Sequence, residues 1–276
     1  MKFVLFGHAG SSTPSVGVMI DRGVVPLSGY TSLASVIDRF PSVRADLERQ
    51  VQTAAPLALA EVELLPPLPR PGKILCSTAS YGAEPGAERA PLLLTLKSAE
   101  SVIGPGQTVQ LPAVGEEWEF VPEAELGLVI RGPVKSIKAA DWREAGFGFT
   151  CVIDVMARGD TQFGRDFWLA KSDTLGPLGP CIVSVDEIAD PRALRVRSFV
   201  NGESAQDYAI SEADYAIGEQ IELASSIMTL KTGDVLACGT SRQGLRTLRD
   251  GDEVRVDIAG VGQLEVRVAT TVGVHA

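Results

Sequence analysis

The sequence predicts a mainly β fold of the α+β class, because short apolar runs bounded by turn residues greatly outnumber helical segments. The chain of 276 residues contains 28 Gly and 17 Pro, and many of them separate these runs. Strand-like and helical segments do not alternate, so a βαβ fold is not expected. We therefore expect a β-sandwich or a rolled sheet.

The N-terminal part of the chain predicts short strands and two helices. Ser32 is expected to cap a helix over residues 33–40, and Ser42 a second helix over residues 43–53. The mixture is typical of a small α+β unit. The strands are expected at residues 2–6, 16–20, 24–27 and 61–65.

A proline-rich segment separates this unit from the rest of the chain. Four prolines fall within residues 65–72, where they exclude regular structure and stiffen the connection. The predicted division is a small N-terminal α+β domain of residues 1–66 and a larger domain of residues 67–276. In the larger domain, helices are expected at residues 139–145 and 217–230, and strands at residues 74–77, 92–97, 125–130, 150–154, 182–185, 195–200, 235–238, 253–258 and 263–269.

Charge and composition narrow the classes of partner. The net charge of -10 and the pI near 4.8 argue against nucleic acid or an anionic membrane surface. The four cysteines lie far apart without a Cys-x-x-Cys pair, which predicts buried free thiols in a reducing compartment. Since no apolar stretch is long enough for a signal sequence or a membrane span, we expect a soluble, cytoplasmic protein.

Three acidic residues stand in apolar surroundings. Glu123 and Glu125 are two apart in a predicted strand and therefore project to the same face, and Asp154 ends another apolar run. A lone Glu-x-Glu would indicate a solvated acidic edge of a sheet. Glu119 and the acids before it are expected to be solvated charges in a loop. The third carboxylate favours a divalent cation that neutralises the group.

Basic and polar side chains follow these acids along the chain. Arg158, Gln162 and Lys171 come after Asp154. A metal held by carboxylates can chelate an anionic oxo acid, and nearby cations can neutralise its remaining charge. The pattern indicates a site for a small carboxylic acid.

From Lys73 onward the sequence resembles the fumarylacetoacetate hydrolase family. The motifs occur in the family's order, which makes a chance match improbable. They are Lys73-Ile-Leu-Cys before Tyr81, Lys97-Ser-Ala-Glu-Ser-Val-Ile-Gly-Pro-Gly, Glu123-Ala-Glu-Leu, Asp154-Val-Met-Ala-Arg, Lys171-Ser-Asp-Thr-Leu-Gly-Pro-Leu-Gly-Pro, Asn201-Gly-Glu-Ser-Ala-Gln, Thr232-Gly-Asp-Val-Leu-Ala-Cys-Gly-Thr and Asp250-Gly-Asp-Glu-Val.

The resemblance implies a mixed β-sandwich roll behind a small N-terminal domain, usually in a homodimer. It implies that Glu123, Glu125 and Asp154 bind Mg²⁺, or Mn²⁺ or Ca²⁺ in its place. Lys171 would then stabilise an enolate or oxyanion. The implied substrate-binding residues are Arg158, which would pair with a carboxylate, Gln162, whose spacing is shifted by the insertion of Gly159, and Tyr81 and Thr240, which would complete the pocket.

One expected residue is absent from the sequence. Hydrolases of this family activate water with a histidine shortly after the position of Tyr81, but here Glu84 occupies that place, and the two histidines are His8 and His275. Two interpretations of Glu84 stay open. With a raised pKa it could serve as a catalytic acid or base, and in its Gly/Pro-rich loop it could instead be solvated.

The resemblance implies a hydrolase that cleaves a carbon–carbon bond in a 2,4-dioxo acid such as an acylpyruvate or fumarylpyruvate. Such substrates arise in the breakdown of aromatic compounds or sugar acids. The missing histidine keeps alternatives open: a decarboxylase, a hydratase or a keto–enol isomerase of the same family, or a member that binds an oxo acid without turning it over.

Overall fold

Two β-sheets form the framework of the protein. The computed structural model describes residues 1–8, 13–78, 80–82, 88–115, 117–159 and 168–271. The described strands are β1 Lys2–His8, β2 Ser15–Ile20, β3 Gly23–Pro26, β4 Val62–Leu65, β5 Ile74–Thr78, β6 Leu93–Lys97, β7 Thr108–Leu111, β8 Glu119–Ile130, β9 Gly146–Arg158, β10 Leu178–Ser184, β11 Arg195–Val200, β12 Glu203–Ala209, β13 Val235–Ala237, β14 Glu253–Ile258 and β15 Gly262–Thr270.

Few helices accompany these strands. The described α-helices are α1 Leu33–Thr53, α2 Trp142–Ala145 and α3 Ile217–Ile227. Short 3₁₀ turns occur at Leu59–Glu61, Ala99–Ser101, Ala139–Asp141, Val185–Glu187, Pro191–Ala193 and Ile210–Glu212. The predicted mainly β fold of the α+β class, with a mixed β-sandwich roll, is confirmed.

The two sheets differ in size and pairing. The larger sheet has ten strands in the order β3-β2-β1-β10-β9-β8-β13-β5-β6, with β4 paired to β1. The smaller sheet has five strands in the order β12-β11-β14-β15-β7. Both sheets are mixed, because β13 pairs with β5 in parallel and β15 pairs with β7 in parallel.

Strands β8 and β9 are covered on both faces. Leu126 and Phe149 belong to an apolar cluster that also contains side chains of the smaller sheet, such as Val256. On the other face, Phe147 of β9 packs edge-on against Phe40 of α1, with ring centroids 5.2 Å apart. Burial on both faces explains why these strands read as nearly continuous apolar runs. It also means that carboxylates in the central part of these strands, such as Glu125 and Asp154, are buried.

The N-terminal segment joins the same sheet. Strand β1 pairs with β10 through Lys2↔Val183 and Phe3↔Ile182, and with β4 through Leu5↔Leu65. The N-terminal strands therefore extend the large sheet. The division after residue 66 stays a prediction.

Helix α1 differs from the prediction of two separate helices. Ser32 caps it as predicted, accepting a hydrogen bond from the backbone N–H of Ser35 at 3.3 Å. The helix then continues through Pro41, so Ser42 is not a cap. An internal proline costs roughly 3 kcal/mol, but burial at the spacing of three and four continues past it and offsets that cost. The buried residues of α1 are Leu33, Val36, Ile37, Phe40, Val43 and Leu47.

All four cysteines are buried and free, as predicted. Across the described part of the chain, no helix combines the length and the apolar character that crossing a membrane requires.

Candidate metal centre

The register of β8 and β9 brings three carboxylates together. Glu123 lies directly opposite Asp154, and Glu125 lies two residues further along β8 on the same face. One oxygen from each carboxylate lies within 4.8 Å of the other two. Glu125 and Asp154 are 1% and 2% exposed, and Glu123 is partly exposed. The three predicted metal ligands therefore form one cluster.

The electrostatics of the cluster favour a bound cation. Burial raises the pKa of Glu123 to about 7, and the charge of Asp154 acts in the same direction, while Arg158 opposes it. Burial, Asp154 and Glu123 likewise raise the pKa of Glu125 well above its usual range. Three clustered carboxylate oxygens match the ligand preference of Mg²⁺, Mn²⁺ and Ca²⁺. The residues present thus fit a hard divalent cation.

A backbone donor from another loop holds Glu125. The N–H of Gly239 donates to Glu125 Oε2 at 2.7 Å. Gly239 has φ +89°, and a Cβ at this position would lie 2.6 Å from Cβ of Ser80. Only glycine can place its N–H here without strain or a steric clash.

Lys97 was not among the predicted site residues, and the structure adds it. Its Nζ donates to Asp154 Oδ1 at 2.5 Å, to Val155 O at 3.1 Å and to Ala170 O at 2.7 Å, so all three hydrogens are used. The side chain is fully buried. Lys97 therefore orients Asp154 and ties it to the segment that carries Lys171. In the sequence, Lys97 stood out only as the first residue of one of the family motifs.

Lys171 is close enough to Asp154 and Lys97 for their charges to act on its ammonium group, although it is not among the residues that line the cavity described below. The preceding residue, Ala170, shares the Lys97 ammonium with Asp154. Within the described residues, Lys171 Nζ is a buried atom without a hydrogen-bond partner. Desolvation lowers its pKa, and the positive charge of Lys97 acts in the same direction. An ammonium group of this kind can bind a negatively charged oxygen that a ligand brings.

A cavity of about 330 Å³ opens onto the cluster. Arg158 Nη2 donates to Glu123 Oε1 at 3.3 Å, and its side chain is 45% exposed. Among the described residues this is its one side-chain hydrogen bond, so other guanidinium N–H groups can bind an anion. Arg242 also lines the cavity and was not predicted. The lining residues are Ser77, Thr78, Tyr81, Glu123, Asp154, Met156, Ala157, Arg158, Thr240 and Arg242.

Tyr81 and Thr240 both line this cavity, in different states of hydrogen bonding. The Tyr81 ring packs edge-on against Tyr208 at 4.9 Å, and among the described residues its buried hydroxyl has no partner. Thr240 Oγ1 donates to Ala124 O at 2.9 Å. Tyr81 also lines a separate cavity of about 510 Å³, which none of the three carboxylates reaches.

The remaining predicted residues divide into two groups. Gln162 and Glu84 lie outside the described residues, so their roles stay predictions. Glu119 is exposed as expected, but it begins β8 opposite Arg158, so its placement in a loop was wrong. The pairing of β8 with β9 begins at Glu119↔Arg158, beyond the strands predicted from the apolar runs at residues 125–130 and 150–154.

The metal-free protein is expected to lose stability as the pH rises from about 5 to about 8. Burial favours the neutral carboxyls, so the stability they contribute is present below the unfolded pKa and is lost as the pH rises through the folded pKa, about 7 for Glu123. Melting temperatures in EDTA would measure this fall. A Glu123→Gln/Glu125→Gln variant should show a smaller fall, and a flat profile for the unaltered protein would contradict the account.

The comparisons with known proteins agree with this geometry. The sequence model described as "Fumarylacetoacetate (FAA) hydrolase C-terminal" matches residues 75–269. A mitochondrial oxaloacetate tautomerase of Bos taurus is 31% identical over 270 residues, covering 92% of this chain and 85% of the relative. An oxaloacetate tautomerase of Bacillus subtilis (strain 168) is 34% identical over 227 residues, covering 76% of this chain and 74% of the relative.

A solved structure extends the likeness to nearly the whole chain. It is a maleylpyruvate hydrolase from Sphingobium sp. SYK-6 in complex with manganese(II) ion and pyruvate, with 29% identity and a TM-score of 0.87. The match covers 99% of this chain and 100% of that one. The resemblance inferred from the motifs is thereby confirmed, and the chain belongs to the fumarylacetoacetate hydrolase family of enzymes.

Proposed function

We propose that the protein is a metal-dependent enzyme that interconverts the keto and enol forms of oxaloacetate or a closely related 2-oxo dicarboxylic acid. The composition of the site carries this proposal. The Lys171 ammonium group is buried without a hydrogen-bond partner among the described residues, so it can bind an enolate oxygen. The sequence contains no histidine between His8 and His275 that could activate water. His8 ends β1, opposite Val62 of β4, and is not among the residues that line the cavity.

The residues suit this reaction. Keto–enol conversion moves a proton between C3 and the C2 oxygen, breaks no carbon–carbon bond and consumes no water. Lys171 donates a hydrogen bond to the C2 oxygen as negative charge develops there, and its lowered pKa eases transfer of a proton to that oxygen. The proton that leaves C3 passes to the lysine amine, so the lysine returns to its starting state. Arg158 and Arg242 bind the distal carboxylate of the substrate. The relatives from Bos taurus and Bacillus subtilis, both named oxaloacetate tautomerases, support the assignment.

The carboxylate cluster is the proposed metal-binding site. Glu123, Glu125 and Asp154 hold Mg²⁺, with Mn²⁺ or Ca²⁺ as alternatives. When bound, such an ion chelates the 2-oxo acid and withdraws electron density from its carbonyl group. The structure from Sphingobium, which contains manganese(II) and pyruvate, supports this role.

Hydrolysis of a carbon–carbon bond in an acylpyruvate is the second candidate. The likeness to a maleylpyruvate hydrolase favours it. This reaction needs a base for water, and Glu84 is the residue that the sequence offers in the place of the usual histidine. The predicted homodimer and an origin of the substrate in aromatic or sugar-acid breakdown accompany both candidates as predictions.

Product analysis after parallel incubations separates the candidates. We expect the manganese-loaded protein to accelerate enol-to-keto conversion of oxaloacetate, followed by ultraviolet absorbance, without forming carbon dioxide or pyruvate. Acetylpyruvate, fumarylpyruvate and maleylpyruvate should stay uncleaved. Two acids from a dioxo substrate would instead show a hydrolase, and carbon dioxide from oxaloacetate a decarboxylase. Binding of an oxo acid without turnover of any of these substrates would contradict catalysis altogether.

A further inference from the structure

On one side, strand β8 has a neighbouring strand at Gly127–Val129 but no described strand beside the metal ligands Glu123 and Glu125. Strand β13 pairs with β8 only as far as Ala237↔Gly127, and Cys238 N then donates to Leu126 O at 2.9 Å. Peptide groups of a strand alternate between its two neighbours, so the next group on this side belongs to Ala124. Ala124 is 1% exposed. An unpaired buried peptide group is costly, so its N–H and C=O need partners, and none of the described strands supplies them.

Two side chains of β12, in the other sheet, supply these partners. Gln206 Oε1 accepts from Ala124 N at 3.0 Å, and Tyr208 Oη donates to Ala124 O at 2.6 Å. Gln206 and Tyr208 are two apart on β12, so both project to one face, and both are buried. The Gln206 side-chain amide thus replaces the peptide of a missing strand.

The same amide also binds the loop of Thr240 and Ser241 beside the cavity. Gln206 Nε2 donates to Thr240 Oγ1 at 2.8 Å and to Ser241 O at 2.6 Å. Thr240 Oγ1 in turn donates to Ala124 O at 2.9 Å. Gln206 Oε1 also accepts from Ser198 Oγ at 3.4 Å, so the carboxamide is saturated, with two N–H groups that donate and an oxygen that accepts twice. Its orientation is determined by these partners.

We propose that Gln206 is a positioning residue that couples the metal ligands to the loop of Thr240 and Ser241 beside the cavity. The Ala124 peptide lies between Glu123 and Glu125, so a shift of this peptide moves both carboxylates. Partners that orient metal ligands commonly contribute about 10- to 100-fold to metal affinity. The inference rests on the proposed metal site and is independent of the reaction catalysed there.

The test replaces Gln206 by Met, which has a similar length and no hydrogen-bonding amide. Calorimetric titration with Mn²⁺ should give a Kd raised by about 10-fold or more. Once the protein is saturated with metal, oxalate should also bind more weakly than to the unaltered protein, because the amide no longer holds the loop of Thr240 and Ser241 beside the cavity. Tyr208→Phe keeps the ring packed against Tyr81 and removes one hydrogen bond to Ala124, so it should weaken Mn²⁺ binding less.

Gln50→Met is the matched control. The Gln50 side-chain amide of α1 also bonds to a peptide backbone, accepting from Ser28 N at 2.8 Å and donating to Ser28 O at 3.4 Å, and it is not among the residues that line the cavity. Both Gln variants should melt at lower temperature, but only Gln206→Met should lose metal affinity. An unchanged Kd in Gln206→Met and Tyr208→Phe, or an equal loss in Gln50→Met, would overturn the inference. Unaltered protein that binds Mn²⁺ and oxalate but leaves oxaloacetate unchanged would contradict only the proposed reaction.

Discussion

Replacing Asp154 by Ala is expected to abolish both metal binding and activity. The change removes one of three carboxylates and the negative partner of a fully buried ammonium group, that of Lys97. Breaking a buried ion pair on one side costs about 3 kcal/mol or more, so the melting temperature should fall as well. Calorimetry with Mn²⁺, the tautomerisation rate and thermal melting measure the three effects.

Two further variants separate loss of the ligand from loss of the fold. Asp154→Asn keeps an oxygen that can accept from Lys97, so it should retain more stability than the Ala variant while still losing metal affinity. Glu119→Ala removes an acid from the exposed start of the same strand and should leave metal affinity and rate unchanged. Activity in Asp154→Ala equal to that of Glu119→Ala would contradict the ligand assignment.

Replacing Lys171 by Met is expected to lower kcat by about 100- to 1,000-fold, the usual effect of losing a donor to a developing oxyanion. Its Nζ makes no hydrogen bond within the described residues, so little native structure depends on it. Mn²⁺ should bind at least as tightly as before, because a positive charge near the carboxylates is removed. Steady-state kinetics and calorimetry measure the two effects.

The matched control is Lys138→Met. Lys138 is 78% exposed and reaches Glu222 at 3.4 Å, remote from the residues that line the cavity. It should retain the kinetics of the unaltered protein. A Lys171→Met variant that matched this control in kcat would remove the lysine from the proposed chemistry.

The sequence predicted the part of the site that depends on local pattern. The two-residue spacing of Glu123 and Glu125 places their side chains on one face, and apolar runs mark β8 and β9. That Glu123 faces Asp154 follows from the antiparallel register, which the family resemblance anticipated and the spacing alone did not. Helix α1 was broken at Pro41 in the prediction because local propensity does not include the burial that continues past it.

Side chains that act across large sequence separations were missed. Lys97 lies 57 residues from Asp154, and no local feature of the strand 93–97 indicates that contact. Strand β12 was missed because mostly polar residues form it, and the buried positions include Gln206, whose amide serves another strand. Such polar residues look like loop residues until the tertiary structure shows which peptide groups they satisfy.

The most direct measurement of the central claim is a calorimetric titration of oxalate into the protein before and after metal loading. The claim is that the three carboxylates hold a divalent cation and that an oxo acid binds on it next to Lys171. EDTA-treated protein should show no oxalate binding, and protein saturated with Mn²⁺ should bind one oxalate per chain. Equal oxalate binding with and without Mn²⁺, or none in either state, would contradict the claim.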